Sequence, residues 1–221
     1  MTWDEYVAAW SRLHGGFDPG AASPVVRGWI RLAYRGGSVL GRWRVGPGAV
    51  TTSGLVLCAL TPAAARLGHG LFLAALLVLL AGCADALDGA VAVVTGRTSR
   101  LGFVYDSVAD RLGEAAWLAA FWVAGAPGWL VVAGGAVSWL HEYVRARATA
   151  AGMVGLGLVT VGERPTRVSI AISGFLIGGG AGLLHPGWVS AALVVAAAGW
   201  AALGLIGLAQ LGAAVRRELS G

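Results

Sequence analysis

Four aspartates lie within residues 85–111 of an otherwise largely hydrophobic chain. Asp85 and Asp88 are three residues apart and Asp106 and Asp110 are four apart, so on helices each pair shares one face. Two such helices could point all the carboxylates at one place. Because clustered carboxylates repel one another unless cations neutralise them, the spacing predicts a site for hard divalent ions, with Mg²⁺ or Mn²⁺ first.

These aspartates belong to a longer pattern. D-x2-D-G-x2-A-x9-G-x3-D-x3-D is met by Asp85, Asp88, Gly89, Ala92, Gly102, Asp106 and Asp110. The pattern resembles the signature of the CDP-alcohol phosphotransferase family, integral membrane enzymes that move a phosphatidyl-type group from a CDP-linked donor to an alcohol. The family usually has arginine directly after the motif alanine, where this chain has Val93. If that arginine helps to hold the donor, either Arg97 or Arg100 replaces it here or donor binding is weaker.

The resemblance also implies roles for individual residues. The aspartates would hold the divalent ions, two in number, that bridge the donor diphosphate. Asp110 would also act as general base on the acceptor hydroxyl. The expected donor contacts are Pro47, Thr51, Asp85, Asp88, Gly89, Ala92, Arg100 and Gly102. Pro47 and Thr51 match a Pro-x-x-x-Thr element of relatives, although a plain helix start explains them equally well. The motif glycines would let the nucleotide approach the backbone.

A second resemblance concerns the alcohol acceptor. YVRARA at 143–148 and ERPTR at 163–167 resemble the phosphatidylinositol-phosphate synthase branch of the family, in which basic residues bind the phosphate of inositol phosphate. This resemblance implies that the acceptor contacts are Glu142, Arg145, Pro165 and Arg167. The predicted acceptor is therefore a phosphorylated polyol such as inositol phosphate, with glycerol 3-phosphate second. Arginines that only anchor cytoplasmic loops are the alternative.

The chain departs from that branch at two places. Near the end of the predicted sixth span, relatives in the branch carry another basic residue, where this chain has Gln210 and Leu211. Glu142 occupies a position where the branch tends to have a small polar residue. Two explanations stay open for Glu142. It pairs with Arg145 or Arg147, or it changes which headgroup is accepted.

The composition is that of a membrane protein. In 221 residues, 57% are hydrophobic and 12% are charged, with a mean hydropathy of +0.73, which lies outside the range of ordinary soluble domains. The length allows about six membrane spans of roughly 20 residues. The predicted fold is all-α and polytopic, with six transmembrane helices and an N-terminal amphipathic or juxtamembrane helix. The predicted spans lie at about 48–66, 69–94, 101–124, 129–150, 166–184 and 187–211.

The predicted organisation has three parts. Residues 1–44 form a cytoplasmic amphipathic region, residues 45–213 the six-helix domain and residues 214–221 a short cytoplasmic tail. Within the first part, 3–14 has the spacing of an interfacial helix and 24–44 that of a juxtamembrane helix on anionic headgroups. A lid over the site is the alternative for 3–14. The start lacks the pattern of a cleavable signal, so the N-terminus is expected in the cytoplasm.

Charge supports a membrane setting and argues against nucleic-acid binding. All sixteen basic residues are arginines and the net charge is +5, which suits anionic lipids or phosphorylated ligands. The arginines are scattered between apolar spans and form no basic domain. Only Arg66 falls on a predicted outside turn, so the positive-inside rule places both termini and the aspartates on the cytoplasmic side of the cell membrane. Cys58 and Cys83 lack metal-type spacing and are predicted to be buried thiols.

The expected partners are membrane lipids, a CDP-diacylglycerol-like donor, a small phosphorylated alcohol and a second copy of the chain in a homodimer. Two other functions compete with the enzyme. One is a cation transporter that uses the aspartates as an ion site, but acids gathered at one predicted depth do not mark a pathway. The other is a non-catalytic relative, which Val93 in place of the usual motif arginine suggests. Acidic helix ends that merely face water are the remaining explanation of the aspartates.

Overall fold

The chain is helical throughout its described part. The computed structural model describes residues 1–13, 18–19, 21–153 and 159–219, and these contain no strand. Their helices are α1 Trp3–Leu13, α2 Pro24–Arg42, α3 Pro47–Ala65, α4 Gly70–Val94, α5 Arg100–Val123, α6 Gly128–Ala150, α7 Arg164–Leu184 and α8 Trp188–Leu219. The all-α prediction is confirmed. The predicted spans correspond to α3–α8, but α8 continues to Leu219 and so absorbs most of the predicted tail at 214–221.

Local sequence accounts for several helix ends. Ser23 caps α2 by accepting a hydrogen bond from the Val26 N–H, and Pro24 occupies the first helical position. Ser99 caps α5 in the same way, because its Oγ accepts from the Gly102 N–H at 3.0 Å. Gly96 follows the end of α4 with φ of +66°, a left-handed conformation that glycine adopts without strain.

The described helices form two compact units. The first unit comprises Met1–Val56 and Ala81–Asp110. Within it, α1 and α2 pack on the second half of α4 through an apolar cluster of Tyr6, Ile30, Ala33, Ala90 and Val93. Gly37 permits the close approach of α2, since a Cβ there would lie 2.9 Å from the Ala90 Cβ. The predicted domain boundary at residue 44 therefore falls inside a packed unit.

The second unit comprises Leu57–Leu80 and Arg111–Gly221. Its helix α8 packs against α6 and α7. Aromatic side chains fill the centre, where the rings of Phe121 and Phe175 are 4.8 Å apart between centroids. The buried Trp200 indole N–H donates to the Ser138 Oγ at 2.8 Å, so its polar atom is satisfied inside the apolar core.

Small residues let α8 pack closely within the chain. A Cβ on Gly207 would lie 2.5 Å from the backbone N of Gly162, and a Cβ on Gly204 would lie 2.9 Å from a Val137 methyl carbon. These two glycines of α8 thus lie against other parts of the same unit.

Four of the described helices are long and apolar enough to cross a membrane, namely α3, α4, α7 and α8. Large apolar side chains such as Leu60, Ile177 and Val195 are exposed on them, as lipid-facing residues would be. The other two helices at predicted spans, α5 and α6, contain more ionisable residues and fall outside this group. The membrane prediction is confirmed for four candidate spans, and the count of six stays a prediction.

Candidate active site

Three motif aspartates gather within the first unit. Asp85, Asp88 and Asp106 each offer a carboxylate oxygen, and these oxygens lie within 4.8 Å of one another. Asp88 is only 6% exposed, and the other two are half-buried. Three partly dry carboxylates would repel one another, so the cluster is stable when a cation shares its charge. The all-oxygen donor set fits Mg²⁺ or Mn²⁺.

Thr51 contacts the most buried member of this cluster. Its Oγ1 donates a hydrogen bond to the Asp88 Oδ2 at 2.6 Å and lies 3.1 Å from the carbonyl oxygen of Pro47, the first residue of α3. The carboxylate is the closer and the charged acceptor, so it is the stronger partner. Thr51 is itself buried, and in this structure it holds a carboxylate of the cluster.

Asp110 lies outside the three-oxygen group. It is half-buried on α5, one turn beyond Asp106. The sequence predicted it both as a further metal ligand and as a general base. The described geometry brings together the other three aspartates, and both roles of Asp110 stay predictions.

The other predicted donor contacts also belong to the first unit. Gly89 is exposed beside Asp88, and a Cβ there would meet no atom within 4 Å. Ala92 is half-buried one turn later on α4. Arg100 is exposed as the first residue of α5, and Gly102 follows within the same turn. Their contacts with a nucleotide stay a prediction.

Val93, which replaces the usual motif arginine, is buried in the apolar cluster that joins α4 to the N-terminal helices. It contributes to the same cluster as Tyr6 and Ile30. The Val93 side chain therefore packs α4 against α1 and α2. Arg97 and Arg100 are both exposed in the loop and first turn that follow.

Sequence reasoning missed Tyr105, which directly precedes Asp106. Its hydroxyl lies 2.8 Å from the Thr52 Oγ1. The Thr52 hydroxyl donates in turn to the Gly48 carbonyl at 2.7 Å, which makes the tyrosine O–H the donor in the first bond. The bond ties the beginning of α5 to α3. The sequence shows a tyrosine next to a motif aspartate, but its partner Thr52 lies 53 residues away in the chain.

The predicted acceptor residues lie in the second unit, where Arg167 is buried at 2% exposure. Its Nη1 donates to both carboxylate oxygens of Glu114 at 2.9 Å, and its Nη2 donates to Glu142 at 3.0 Å. Its Nε donates to the Gly162 carbonyl at 2.8 Å. Every nitrogen of the guanidinium is therefore engaged within the protein.

The ion pairs around Arg167 extend to neighbouring helices. Arg111 on α5 contacts both Glu114 and Glu142 at 3.0 Å. The two explanations left open for Glu142, pairing with Arg145 or Arg147 and a changed headgroup, both stay predictions. The partners that the structure gives Glu142 are Arg111 of α5 and Arg167 of α7. Sequence reasoning also missed Glu114, an acid one turn after Arg111 in an apolar helix.

Arg145 has a separate partner. It forms an ion pair with Glu163, and Glu163 also accepts the backbone N–H of Thr160 at 3.1 Å. Pro165 is exposed in the first turn of α7. The second unit thus assembles the predicted acceptor arginines, each already bonded to a glutamate.

Comparison with known proteins agrees with the motif. A family model described as CDP-alcohol phosphatidyltransferase matches residues 44–206. The archaetidylinositol phosphate synthase of Aeropyrum pernix is 39% identical over 103 residues, which cover 46% of this chain and 51% of that protein. The phosphatidylinositol phosphate synthase of Mycobacteroides abscessus is 37% identical over 132 residues, or 54% of this chain and 56% of that protein. The chain thus spans about half the length of these relatives.

A further relative is matched over more of its length. The archaetidylinositol phosphate synthase of Methanothermobacter thermautotrophicus is 35% identical over 155 residues, which cover 67% of this chain and 74% of that protein.

Solved structures share the fold. The phosphatidylinositol phosphate synthase of Mycobacterium tuberculosis in complex with manganese and citrate superposes with a TM-score of 0.65 and 24% identity, over 83% of this chain and 88% of that one. Its structure with CDP-DAG bound gives a TM-score of 0.59 at 24% identity, over 82% of this chain and 94% of that one. Because the family model covers most of the sequence and includes every motif aspartate, the chain belongs to the CDP-alcohol phosphatidyltransferase family.

Proposed function

We propose that this protein transfers a phosphatidyl-type group from a CDP-linked lipid, such as CDP-diacylglycerol, to the hydroxyl of an alcohol and releases CMP. The observation that carries the proposal is the gathering of Asp85, Asp88 and Asp106, with carboxylate oxygens within 4.8 Å of one another. Such a trio is suited to a metal-bound diphosphate. The fold relative from M. tuberculosis has been solved with manganese and with CDP-DAG, which supports the same donor and metal class here.

In the proposed reaction, the acceptor oxygen bonds to the lipid-bearing phosphorus while the bond from that phosphorus to the CMP oxygen breaks. A bound divalent ion, Mg²⁺ or Mn²⁺, supplies positive charge that stabilises the diphosphate and the departing CMP. Asp85, Asp88 and Asp106 would hold one ion. The second ion that the resemblance implies would need a further ligand. Thr51 keeps the Asp88 carboxylate oriented through its 2.6 Å hydrogen bond.

Asp110 is the proposed general base. It would accept the proton that the acceptor hydroxyl loses as the new P–O bond forms. Its place on α5, one turn beyond Asp106 and outside the three-oxygen group, supports that role. The open space at Gly89 supports close approach of the nucleotide to α4, with Pro47, Ala92, Arg100 and Gly102 as further predicted contacts.

A six-span arrangement also belongs to the proposal. Within the second unit, the Ser190 hydroxyl near the start of α8 donates to the Gly125 carbonyl between α5 and α6 at 2.7 Å. The α5–α6 turn therefore reaches the level at which α8 begins. Trp122, Trp129 and Trp188 are all exposed at this end, as in an interfacial aromatic belt. Since α7 and α8 are candidate spans, α5 and α6 would cross beside them.

The proposed location is the cytoplasmic membrane, with both termini and the aspartates on the cytoplasmic side. The second helix fits the membrane surface, because Trp29 and Leu32 are exposed next to the exposed Arg31 and Arg35. A domain of six spans would then run from about residue 45 to the end of α8. Homodimer formation stays a prediction from the resemblance.

The acceptor is an alcohol whose identity the family leaves open. Inositol phosphate, with glycerol 3-phosphate second, is the sequence prediction, and the names of the relatives favour the first.

The test is CMP release from CDP-diacylglycerol by the purified full-length protein in detergent, with Mn²⁺ or Mg²⁺ and a panel of alcohols. Release should require both metal and an alcohol, stop with a chelator and be lost in Asp106→Asn. Metal-dependent binding of the CDP-lipid without release would indicate a non-catalytic relative. Absence of CDP-lipid binding in folded protein would reject the proposal and favour the ion-site function.

A further inference from the structure

We propose that Tyr105 is a positioning residue for the metal site, and that its hydrogen bond to Thr52 holds Asp106 close to the other two clustered aspartates. The inference rests on the proposed function and deepens it, because Tyr105 lies outside the aspartate motif. It is argued from the parts of α3, α4 and α5 that belong to the first unit, and from the contacts that join these helices in pairs.

The first turns of α3 contact both helices that carry the clustered aspartates. Thr51 donates to Asp88 of α4 at 2.6 Å, and Thr52 lies 2.8 Å from the hydroxyl of Tyr105 on α5. Consecutive residues of an α-helix point about 100° apart, so two neighbouring threonines can reach different helices. The beginning of α3 therefore restrains one carboxylate of the cluster directly and lies against the helix that carries another.

The bond between Tyr105 and Thr52 has a defined direction. The Thr52 hydroxyl donates to the Gly48 carbonyl at 2.7 Å, so the tyrosine O–H is the donor to the Thr52 oxygen. The bond back to Gly48 also restrains the rotamer of Thr52, because the threonine hydroxyl is held against its own helix. The acceptor oxygen thus has a fixed place on α3.

The aspartate cluster joins the remaining pair of helices, α4 and α5. Asp85 and Asp88 belong to α4, and Asp106 belongs to α5 and directly follows Tyr105. Carboxylates this close repel one another, so before a cation binds the cluster favours separation of the two helices. The bond from Tyr105 opposes that separation, since it ties α5 to the helix that already holds Asp88.

Apolar packing does little to hold this end of α5. Leu101, Phe103 and Val104 are all exposed in its first turns. Ser99 caps the helix and fixes where it begins, but that bond lies within one segment of the chain and does not join α5 to α3. Where few buried apolar contacts hold a segment, a single hydrogen bond has a larger share in deciding its position.

The consequence is preorganisation of one metal ligand. With the bond in place, Asp106 already has an oxygen within 4.8 Å of those of Asp85 and Asp88 when a cation arrives. Without it, cation binding must also restrain α5, and that lowers the affinity. Tyr105 would therefore act on the affinity for the cation through Asp106, and it would leave the chemical step of the metal-loaded protein unchanged.

Tyr105→Phe tests the proposal, because it removes the hydroxyl and keeps the ring. The Mn²⁺ affinity of the purified full-length protein is measured by electron paramagnetic resonance of free Mn²⁺. We expect the affinity to fall by about two- to tenfold, the effect of losing one hydrogen bond. An unchanged affinity in folded Tyr105→Phe would overturn the proposal.

Tyr34→Phe is the matched control. Its hydroxyl also donates a hydrogen bond within the first unit, to the Met1 carbonyl at 2.9 Å, and this bond joins α2 to the N-terminus. The control should bind Mn²⁺ as the unaltered protein does. An equal loss of affinity in Tyr34→Phe and Tyr105→Phe would overturn the specific role of Tyr105.

Variants of Thr52 show whether the effect passes through this one bond. Thr52→Val should bind Mn²⁺ about as weakly as Tyr105→Phe, whereas Thr52→Ser retains the hydroxyl and should bind nearly as well as the unaltered protein. The double variant of Tyr105→Phe and Thr52→Val should be no weaker than either single variant, because both remove the same contact. Losses that multiply in the double variant would overturn the proposal.

CMP release separates positioning from general damage. At limiting Mn²⁺, Tyr105→Phe should release CMP more slowly, and saturating Mn²⁺ should restore kcat. A loss of kcat that excess Mn²⁺ leaves in place would overturn the positioning role. Absence of CMP release from unaltered protein that binds Mn²⁺ would instead count against the proposed function alone, since the Mn²⁺ titrations need no turnover.

Discussion

Thr51 and Asp88 lie 37 residues apart in the sequence and are joined by a 2.6 Å hydrogen bond inside the first unit. Both side chains are buried, so water does not compete for this bond. To share a cation with Asp85 and Asp106, the Asp88 carboxylate would have to keep one orientation, and the bond from the Thr51 hydroxyl restrains it. The bond gives the Pro-x-x-x-Thr element at the start of α3 a physical role.

Thr51→Val should weaken metal binding while leaving the fold intact. Loss of a hydrogen bond that orients a metal ligand typically lowers metal affinity by about 10–100-fold. Thr51→Ser retains the hydroxyl and should bind nearly as well as the unaltered protein. Mn²⁺ affinity is measured by electron paramagnetic resonance of free Mn²⁺ in titrations of the purified protein. Equal affinities for the valine and serine variants would contradict this role.

Asp110→Asn should separate metal binding from chemistry. Because Asp110 lies outside the three-oxygen group, its loss should leave Mn²⁺ affinity close to that of the unaltered protein. Loss of a general base should slow CMP release by about 10²–10⁴-fold. Asp106→Asn is the matched comparison on the same helix, and it should lose both binding and release. A large loss of Mn²⁺ affinity in Asp110→Asn would show that Asp110 is a ligand, as the sequence also predicted.

Much of the architecture could be predicted because it depends on short-range patterns. Apolar runs interrupted by Gly-Pro or polar turns marked α3–α7 to within two residues. The end of α8 was not predicted, because Arg216 and Arg217 suggested a polar tail after the last helix. Both arginines lie in the last turn of α8, where cations are favourable. The spacing of the aspartates predicted a cluster, and the structure gathers three of them.

The contacts that could not be predicted join residues far apart in the chain. Arg167 reaches Glu114 across 53 residues, and sequence offered no means to prefer this pair over local partners on α6. Val93 was visible as a departure from the motif, but its burial against Tyr6 depends on how α1 packs on α4. Patterns along one helix show which residues share a face, and tertiary packing decides what that face meets.

Val93→Arg should destabilise the first unit. Residue 93 lies in the apolar cluster with Tyr6, Ile30, Ala33 and Ala90, where a guanidinium would have no carboxylate partner among the members of the cluster. An unpaired buried charge costs about 3 kcal/mol or more unless the structure rearranges. We expect a lower thermal unfolding midpoint in detergent, and easier proteolysis of α1. Val93→Ile is the control. Unchanged stability with tighter CDP-lipid binding would instead show that residue 93 faces the donor.

The Glu114–Arg167 pair should behave as one unit in a double-mutant cycle. Either Glu114→Leu or Arg167→Met alone leaves a buried charge without its bidentate partner, which typically costs about 3–5 kcal/mol of unfolding free energy. The double variant removes both charges, and the remaining Glu142 keeps Arg111 at 3.0 Å. We therefore expect the double variant to be more stable than either single variant, with a coupling energy above about 1 kcal/mol. Thermal and denaturant unfolding in one detergent provide the measurement. Additive losses would mean that Arg167 is held by its bonds to Glu142 and the Gly162 carbonyl instead.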